Sequence, residues 1–238
     1  MKISVFIPAY NAVNHLEGVI DRIPKPLWDE ITSVWIINDG STDDTGQLID
    51  SLAFKNQKIK PHHFRKNRGY GEVVKKGLSL CRTEQCDYAV CLHADGQYPP
   101  EHMTPLILEM AHNGIDLLQG SRHASGTALS GGMPFYKYIS GKLLVALENK
   151  VFRMNFSDYH SGFLLYSKRA LSTIPFEQLS GGFQIDLEII ASARTRGLSL
   201  AERPIPTRYA DEKSYLNPVK YGLQVLTVLL HYKQGKYR

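Results

Sequence analysis

The 238-residue chain has no apolar run approaching the 18 or more residues that a membrane-crossing helix needs. Cysteine is scarce. Cys81, Cys86 and Cys91 are odd in number and evenly spaced five apart, which suits neither a disulfide framework nor a zinc site. They are expected to be buried thiols of a reducing cytoplasm. There is no G-x-x-x-x-G-K-[ST] phosphate loop, internal repeat, linker or low-complexity tract. The apolar start of the chain meets Pro8 and Asn11 too early for a signal peptide and reads as a first core strand.

What is present is ordinary in bulk. Hydrophobic content of 43% and charged content of 21% fit a soluble globular protein, and the length suits one domain with a full core. A net charge of +5 favours anionic partners such as nucleoside diphosphates, phospholipid surfaces or nucleic acid. No nucleic-acid module or interleaved basic-aromatic array appears, so a nucleic-acid partner is not expected.

Short apolar runs at 3–7, 34–37, 59–64, 88–92 and 116–119 alternate with helix-period segments at 14–22, 43–52, 72–80 and 100–112. This alternation predicts an α/β fold: a Rossmann-like, mostly parallel sheet flanked by helices on both faces. Asp43, Asp44 and Glu101 fall in the expected first helical turns. Further on, 125–134 is rich in glycine and small residues and predicts a mobile loop. Helices are expected at 135–152, about 185–196 and 218–233, and strands near 162–166 and 200–205. The last helix is amphipathic and ringed by Lys220, Lys233, Lys236 and Arg238. Packing on the sheet explains most of it, and an anionic membrane surface is a second use.

Chemistry-bearing residues cluster where predicted strands end, the place where open α/β sheets put their ligands. After the strand at 88–92 comes His93-Ala94-Asp95-Gly96-Gln97. Asp95 and the Gln97 amide are hard oxygen donors suited to Mg²⁺ or Mn²⁺. After the first strand, Pro8 is expected to end sheet pairing, and Tyr10 and Asn11 then either flank a nucleotide base or form a strand-to-helix turn. After the second, Asp39 precedes Gly40-Ser41-Thr42. Capping alone would explain it, but Ser41 and Thr42 already supply caps, which favours a ligand role for Asp39. Asn67, Gly69 and Gly71 form a basic, glycine-bearing turn before a helix, apt for phosphate or nucleoside contact.

Taken together these four segments resemble glycosyltransferase family 2, with the GT-A fold, and in particular its dolichyl-phosphate mannose/glucose synthase-like branch. The resemblance spans roughly residues 2–215. It implies a nucleotide-sugar donor (UDP- or GDP-sugar), a divalent cation and inversion at the anomeric carbon. By the resemblance Pro8, Tyr10, Asn11, Asp39, Asn67, Gly71, Ala94 and Asp95 contact the donor, while Asp95, Gln97 and the variant position His93 are the metal candidates. Arg122, Lys137 and Ser140 match positions that meet an acceptor phosphate. Asp158 with Ser161-Gly162-Phe163, and Gln184-Ile185-Asp186-Leu187-Glu188, match two later motifs. The single domain then divides into a donor half (1–122), an acceptor half (123–217) and a C-terminal helix (218–238).

Two positions depart from the family pattern. His93 replaces the first acid of the aspartate-x-aspartate corner, and either packs against a neighbour or ligates Mn²⁺ through nitrogen. Leu164 stands where the family carries an arginine, which argues against a polyprenyl-phosphate acceptor. Departure of a nucleoside diphosphate builds negative charge that a cation stabilises. A glycan hydroxyl acceptor would also need a carboxylate base, Asp186 first and Asp158 second, although helix capping also explains Asp186. A lipid-phosphate acceptor is already ionised and needs cations instead, Arg122 and Lys137. Arg208 and Lys213 lie in a segment that either closes over the diphosphate or is a solvated loop. The expected location is cytoplasmic, with peripheral contact at the inner membrane face. The alternative reading, motivated by His93, is a catalytically impaired nucleotide-sugar-binding protein.

Overall fold

Seven strands form one sheet in the order β3-β2-β1-β4-β6-β5-β7. In chain order the elements are β1 (Ile3–Ala9), α1 (Leu16–Asp21), α2 (Lys25–Glu30), β2 (Ile31–Asn38), α3 (Thr45–Lys55), β3 (Ile59–His63), α4 (Tyr70–Thr83) and β4 (Tyr88–Cys91). A 3₁₀ turn at Pro100–His102 leads into α5 (Met103–Asn113), followed by β5 (Leu117–Ser121), α6 (Phe135–Phe152), β6 (Leu164–Ser167), α7 (Lys168–Thr173), α8 (Ile185–Thr195), β7 (Leu200–Pro204) and α9 (Pro218–Lys233). The computed structural model describes residues 1–124, 135–206 and 217–238, the side chains of 135–140 excepted. The loop expected at 125–134, the side chains of Lys137 and Ser140, and Arg208 and Lys213 lie outside the described residues.

β1 is buried along its length because both sheet faces are covered, as its continuous apolar sequence requires. Ile3, Val5 and Ile7 enter one core cluster while Phe6 enters the other, the two-residue alternation of a strand. All three cysteines are buried and free.

Several local expectations are corrected. Pro8 does not end pairing: it lies within β1, opposite Ile37 of β2. The neighbouring Ala9 carbonyl accepts from Asp39 N–H on the β2 side (2.9 Å). Alternation therefore turns the missing Pro8 N–H toward β4, whose pairing with β1 has stopped at Phe6–Cys91. Asp43 and Asp44 precede α3 rather than sitting in its first turn. Asp43 Oδ1 accepts from Thr45 N–H (3.0 Å), while the N-cap position itself is Asp44, whose side chain makes no capping bond, so neither Ser41 nor Thr42 caps α3. α9 packs on α8 and α6 rather than on the sheet.

β6 runs antiparallel to both its neighbours, β4 and β5, whereas the β1–β2, β2–β3, β1–β4 and β5–β7 pairings are parallel. The strands around β6 therefore finish at the edge where β6 begins. Segment 158–163, the approach to β6, is thereby brought beside the C-terminal ends of β4 and β5. The Gln119 side chain donates to the Ser161 carbonyl (3.0 Å), and Gly120 N–H donates to the Phe163 carbonyl (2.9 Å).

Candidate active site

The donor side of this edge is a set of loop-to-loop ties. Asn11 adopts a left-handed backbone (φ 49°). Its N–H donates to Ser41 Oγ (3.0 Å) and its side-chain oxygen accepts from Thr42 N–H (2.9 Å), which joins the ends of β1 and β2. Asp39 is buried, and its two carboxylate oxygens accept from Arg68 N–H (2.7 Å) and Gly69 N–H (3.0 Å). It fixes the turn that opens α4. Gly71 N–H donates to the Gly181 carbonyl (3.1 Å), and a Cβ at Gly71 would lie 2.5 Å from the Gly181 carbonyl carbon. Only glycine permits that approach. Tyr10 and Asn67 are exposed at the rim, Pro8 is half-buried, and Ala94 is buried.

Asp95 follows β4 in a tight turn, with its Oδ1 accepting from Gln97 N–H (3.0 Å). The turn is clamped from outside by Arg22, which bonds both carboxylate oxygens of Glu101 (2.8 and 3.0 Å) and the Gly96 carbonyl (3.2 Å). Such a bidentate pair sets geometry as well as energy. No cluster of three or more His, Cys, Asp or Glu able to hold a metal occurs among the described residues. The donor set, one partly exposed carboxylate beside an amide, fits a hard cation held jointly with a substrate's phosphates, as Mg²⁺ commonly is.

His93 faces away from a purely ligating role. Its Nε2 lies 3.1 Å from the Tyr70 hydroxyl, and its ring packs edge-on against Tyr70 and Tyr98. The same hydroxyl donates to Asp186 Oδ2 (3.0 Å). With its one proton committed there, Tyr70 accepts from His93 Nε2–H. Burial, reinforced by Arg122 and opposed by Asp95, holds the imidazole below its ordinary pKa and therefore neutral. The backbone of Gly162 sits so close that a Cβ there would lie 2.5 Å from His93 Nε2.

Asp186 is buried in the first turn of α8, and its Oδ1 has no hydrogen-bond partner. Burial pushes its pKa up to about 7, against the opposing pull of the Tyr70 hydrogen bond and His160. Below pH 3.8 the carboxyl is neutral in both the folded and the unfolded chain. As pH rises toward 7 the unfolded chain ionises first, so this group progressively destabilises the fold. Asp186→Asn, which keeps an acceptor for Tyr70, should be more stable than the wild type at pH 8 by on the order of 3 kcal/mol and equal to it at pH 3.5. Thermal melts across that range check this, and a pH-independent difference would contradict it.

The acceptor side is built around Arg122, at the exit of β5. Its Nε lies 3.7 Å from Asp158 Oδ2, and its Nη2 donates to the His160 carbonyl (3.1 Å). Asp158 is buried, and its Oδ1 accepts from His160 N–H (2.8 Å). Burial alone would raise its pKa, but Arg122, His160 and His123 outweigh it and keep the carboxylate ionised. Glu202 of β7 holds the loop from behind by accepting from the Ser157 and Asp158 N–H groups (2.8 Å each). The His160 side chain is gripped by two helices. Its Nδ1 lies 2.9 Å from the Tyr221 hydroxyl of α9, and its Nε2 lies 3.3 Å from Glu148 Oε1 of α6. Leu164 is fully buried at the start of β6, so that position cannot offer a cation to any ligand. Arg122 supplies the positive charge there instead, with His160, whose pKa Glu148 and Asp158 raise against the effect of burial.

Sequence reasoning missed Tyr70, Glu148, His160 and Tyr221. Glu148 carried a signal, as the lone acid inside the apolar stretch of α6. His160 also did, lying between Asp158 and Ser161. Conversely, Glu188 of the acidic motif faces away from the site, accepting from Ser180 N–H (2.8 Å) and the Tyr237 hydroxyl (3.1 Å).

A family model described as Glycosyl transferase family 2 matches residues 4–174. A dolichol-phosphate mannosyltransferase of Pyrococcus furiosus is 29% identical over 196 residues, covering 82% of this chain and 53% of that protein. The chain thus spans about half the length of that relative. A UDP-N-acetylglucosamine–dolichyl-phosphate N-acetylglucosaminyltransferase of Methanococcus voltae is 25% identical over 98% of this chain and 97% of its own. Among solved structures, glucosyl-3-phosphoglycerate synthase of Mycobacterium tuberculosis, in complex with Mn²⁺, UDP and phosphoglyceric acid, superposes with a TM-score of 0.69 at 20% identity, covering 97% of this chain and 78% of that one.

Proposed function

The chain belongs to glycosyltransferase family 2, and from that premise we propose that it moves a hexose from UDP or GDP to the phosphate of a polyprenyl-type lipid, inverting the anomeric carbon. The observation that carries this reading is the Arg122 cluster. A guanidinium held by buried Asp158, with His123 and His160 beside it, suits an anionic nucleophile. A phosphate oxygen attacks without losing a proton, so no base is required of Asp186. The Tyr221–His160 contact joins this cluster to α9, whose outer face exposes Val219, Leu223, Leu226 and Leu230, an apolar surface along which an isoprenoid tail can lie. The names of the Pyrococcus and Methanococcus relatives agree with such an acceptor.

On the donor half (1–122), Tyr10 and Asn67 border the nucleoside, and Pro8, Asn11, Asp39, Gly71 and Ala94 shape the ledge that carries it. Asp95, assisted by Gln97, would hold Mg²⁺ or Mn²⁺ with the diphosphate. The bound ion supplies Lewis-acid neutralisation of the departing group. The chain's own work is positional: Arg22 fixes the Asp95 turn, burial keeps His93 neutral, and Tyr70 holds it turned from the diphosphate. On the acceptor half (123–217), Arg122 orients the attacking phosphate, with Lys137 and Ser140 assigned to the same group. The 218–238 segment closes the acceptor side. The place of action is the cytoplasmic face of a membrane.

The test is incubation with radiolabelled UDP- or GDP-sugars, Mn²⁺ and polyprenyl phosphate. Label is expected in the organic phase as an acid-labile lipid-phosphate sugar, and label that remains in water would overturn the proposal. A second reading, a hydroxyl acceptor, is favoured by one observation. The pKa of Asp186 near 7 is suited to a base at neutral pH. The two readings separate on Asp186→Asn. Loss of transfer should stay within about tenfold for a phosphate acceptor and reach about 10²–10⁴-fold for a hydroxyl.

A further inference from the structure

α6 and α9 together present a surface that begins beside the acceptor cluster and extends beyond it to the ends of both helices. Val219, Leu223, Leu226 and Leu230 are 76, 62, 47 and 55% exposed, and their spacing places them on one face of α9. Leu143 and Leu147 of the adjoining α6 are 69 and 39% exposed. Where the two helices end lies an open groove of about 750 Å³, lined by Lys150, Arg153, Arg194, Lys233 and Arg238 and also by Leu147 of the apolar face. No Asp or Glu lines it, and none of the five cations is paired with an Asp or Glu among the described residues. Arg194 is oriented by the carbonyls of Phe152 (3.0 Å) and Arg153 (3.2 Å), which fix it without neutralising it. Residues 218–238 contain no acid, and Glu148, the one acid of α6, is fully buried.

Five unneutralised cations around one groove attract a phosphate-bearing anion, and a stripe of exposed leucines beside it attracts hydrocarbon. Only a lipid satisfies both at once. Another basic groove, along β3 and α4, differs in its charge: Glu72 and Glu177 line it among the cations.

We propose that the α6–α9 face docks on an anionic bilayer, with the leucines entering the acyl region and the groove seating a phospholipid headgroup phosphate. The inference holds whether the sugar acceptor is a lipid or not. Seating this face would also set the acceptor cluster, because the same two helices grip His160 through Glu148 and Tyr221.

The test is co-sedimentation with phosphatidylcholine vesicles with and without phosphatidylglycerol, for the full chain and two variants. Lys150→Glu/Lys233→Glu removes charge, and Leu223→Ser/Leu226→Ser removes apolar contact. All four residues are exposed, and unchanged melting temperatures confirm that the variants fold. The wild type should bind phosphatidylglycerol vesicles at least about tenfold better than phosphatidylcholine alone, and each variant should lose about tenfold or more. Equal binding to both vesicle types overturns the proposal, as does a charge-reversed variant that binds like the wild type. If the serine variant keeps wild-type vesicle binding while inorganic phosphate displaces the protein, the groove is a free-phosphate site and the lipid assignment fails.

Discussion

Asp95→Asn is expected to lower sugar transfer at least about a hundredfold while leaving the fold untouched. The asparagine oxygen can still accept the Gln97 N–H, and the Arg22–Glu101 clamp is independent of it, so the turn survives. What disappears is the hard anionic donor for the cation that neutralises the departing diphosphate. An effect of several kcal/mol in the transition state corresponds to two or more powers of ten in rate. The matching binding signature is a donor affinity that no longer tightens when Mn²⁺ is added. Because one carboxylate serves where the family pattern has two, the loss should not be recoverable through His93, whose Nε2 is tied to Tyr70. Near-native turnover in the asparagine variant would remove Asp95 from the centre of the mechanism.

The second large effect is expected at Arg122. Arg122→Met strips the buried Asp158 of its main counter-charge, and removing one partner of a buried pair costs about 3–5 kcal/mol of stability. Adding Asp158→Asn should return most of that stability, because an uncharged amide no longer needs the guanidinium and can still accept from His160 N–H. Transfer to a phosphate acceptor should remain lost in both variants, since the double mutant restores the packing but not the cation. Denaturant melts give the stability terms of the cycle, and kcat/KM for acceptor gives the functional one. If the double mutant regains activity together with stability, Arg122 is a structural partner of Asp158 and not an acceptor residue.

Repetition made the donor half readable from sequence. Each of β1, β2 and β4 is a short apolar run with Asn11, Asp39 or Asp95 in the turn that follows, and a parallel sheet carries all such ends to one edge. The acceptor half lacked that regularity. β6 enters the sheet in the opposite direction, and nothing in Leu164–Ser167 announces its orientation, since a strand buried on both faces is apolar whichever way it runs. The antiparallel entry is what carries Asp158, His160 and Gly162 to the same edge as Asp95.

Roles were less legible than positions. Asp39 looks like a ligand because Ser41 and Thr42 offer redundant caps, yet Ser41 and Thr42 bond Asn11, and the Asp39 carboxylate holds the turn before α4. Tyr70 was hidden between two glycines, and its hydroxyl acquires meaning only because residues 93 and 186, distant in sequence, converge on it.

The amino-acid order by itself determined the alternation of elements, the family, and the hard oxygen donor at the end of the fourth strand. Those are local matters of periodicity, turn chemistry and residue type. Only the tertiary structure decided which charges are compensated. Asp158 is ionised because Arg122 reaches it, Asp186 is driven toward neutrality because burial outweighs the pull of Tyr70 and His160, and His160 is held from two helices at once. Protonation and charge pairing depend on distance and burial, and the residues that set them lie tens of positions apart along the chain.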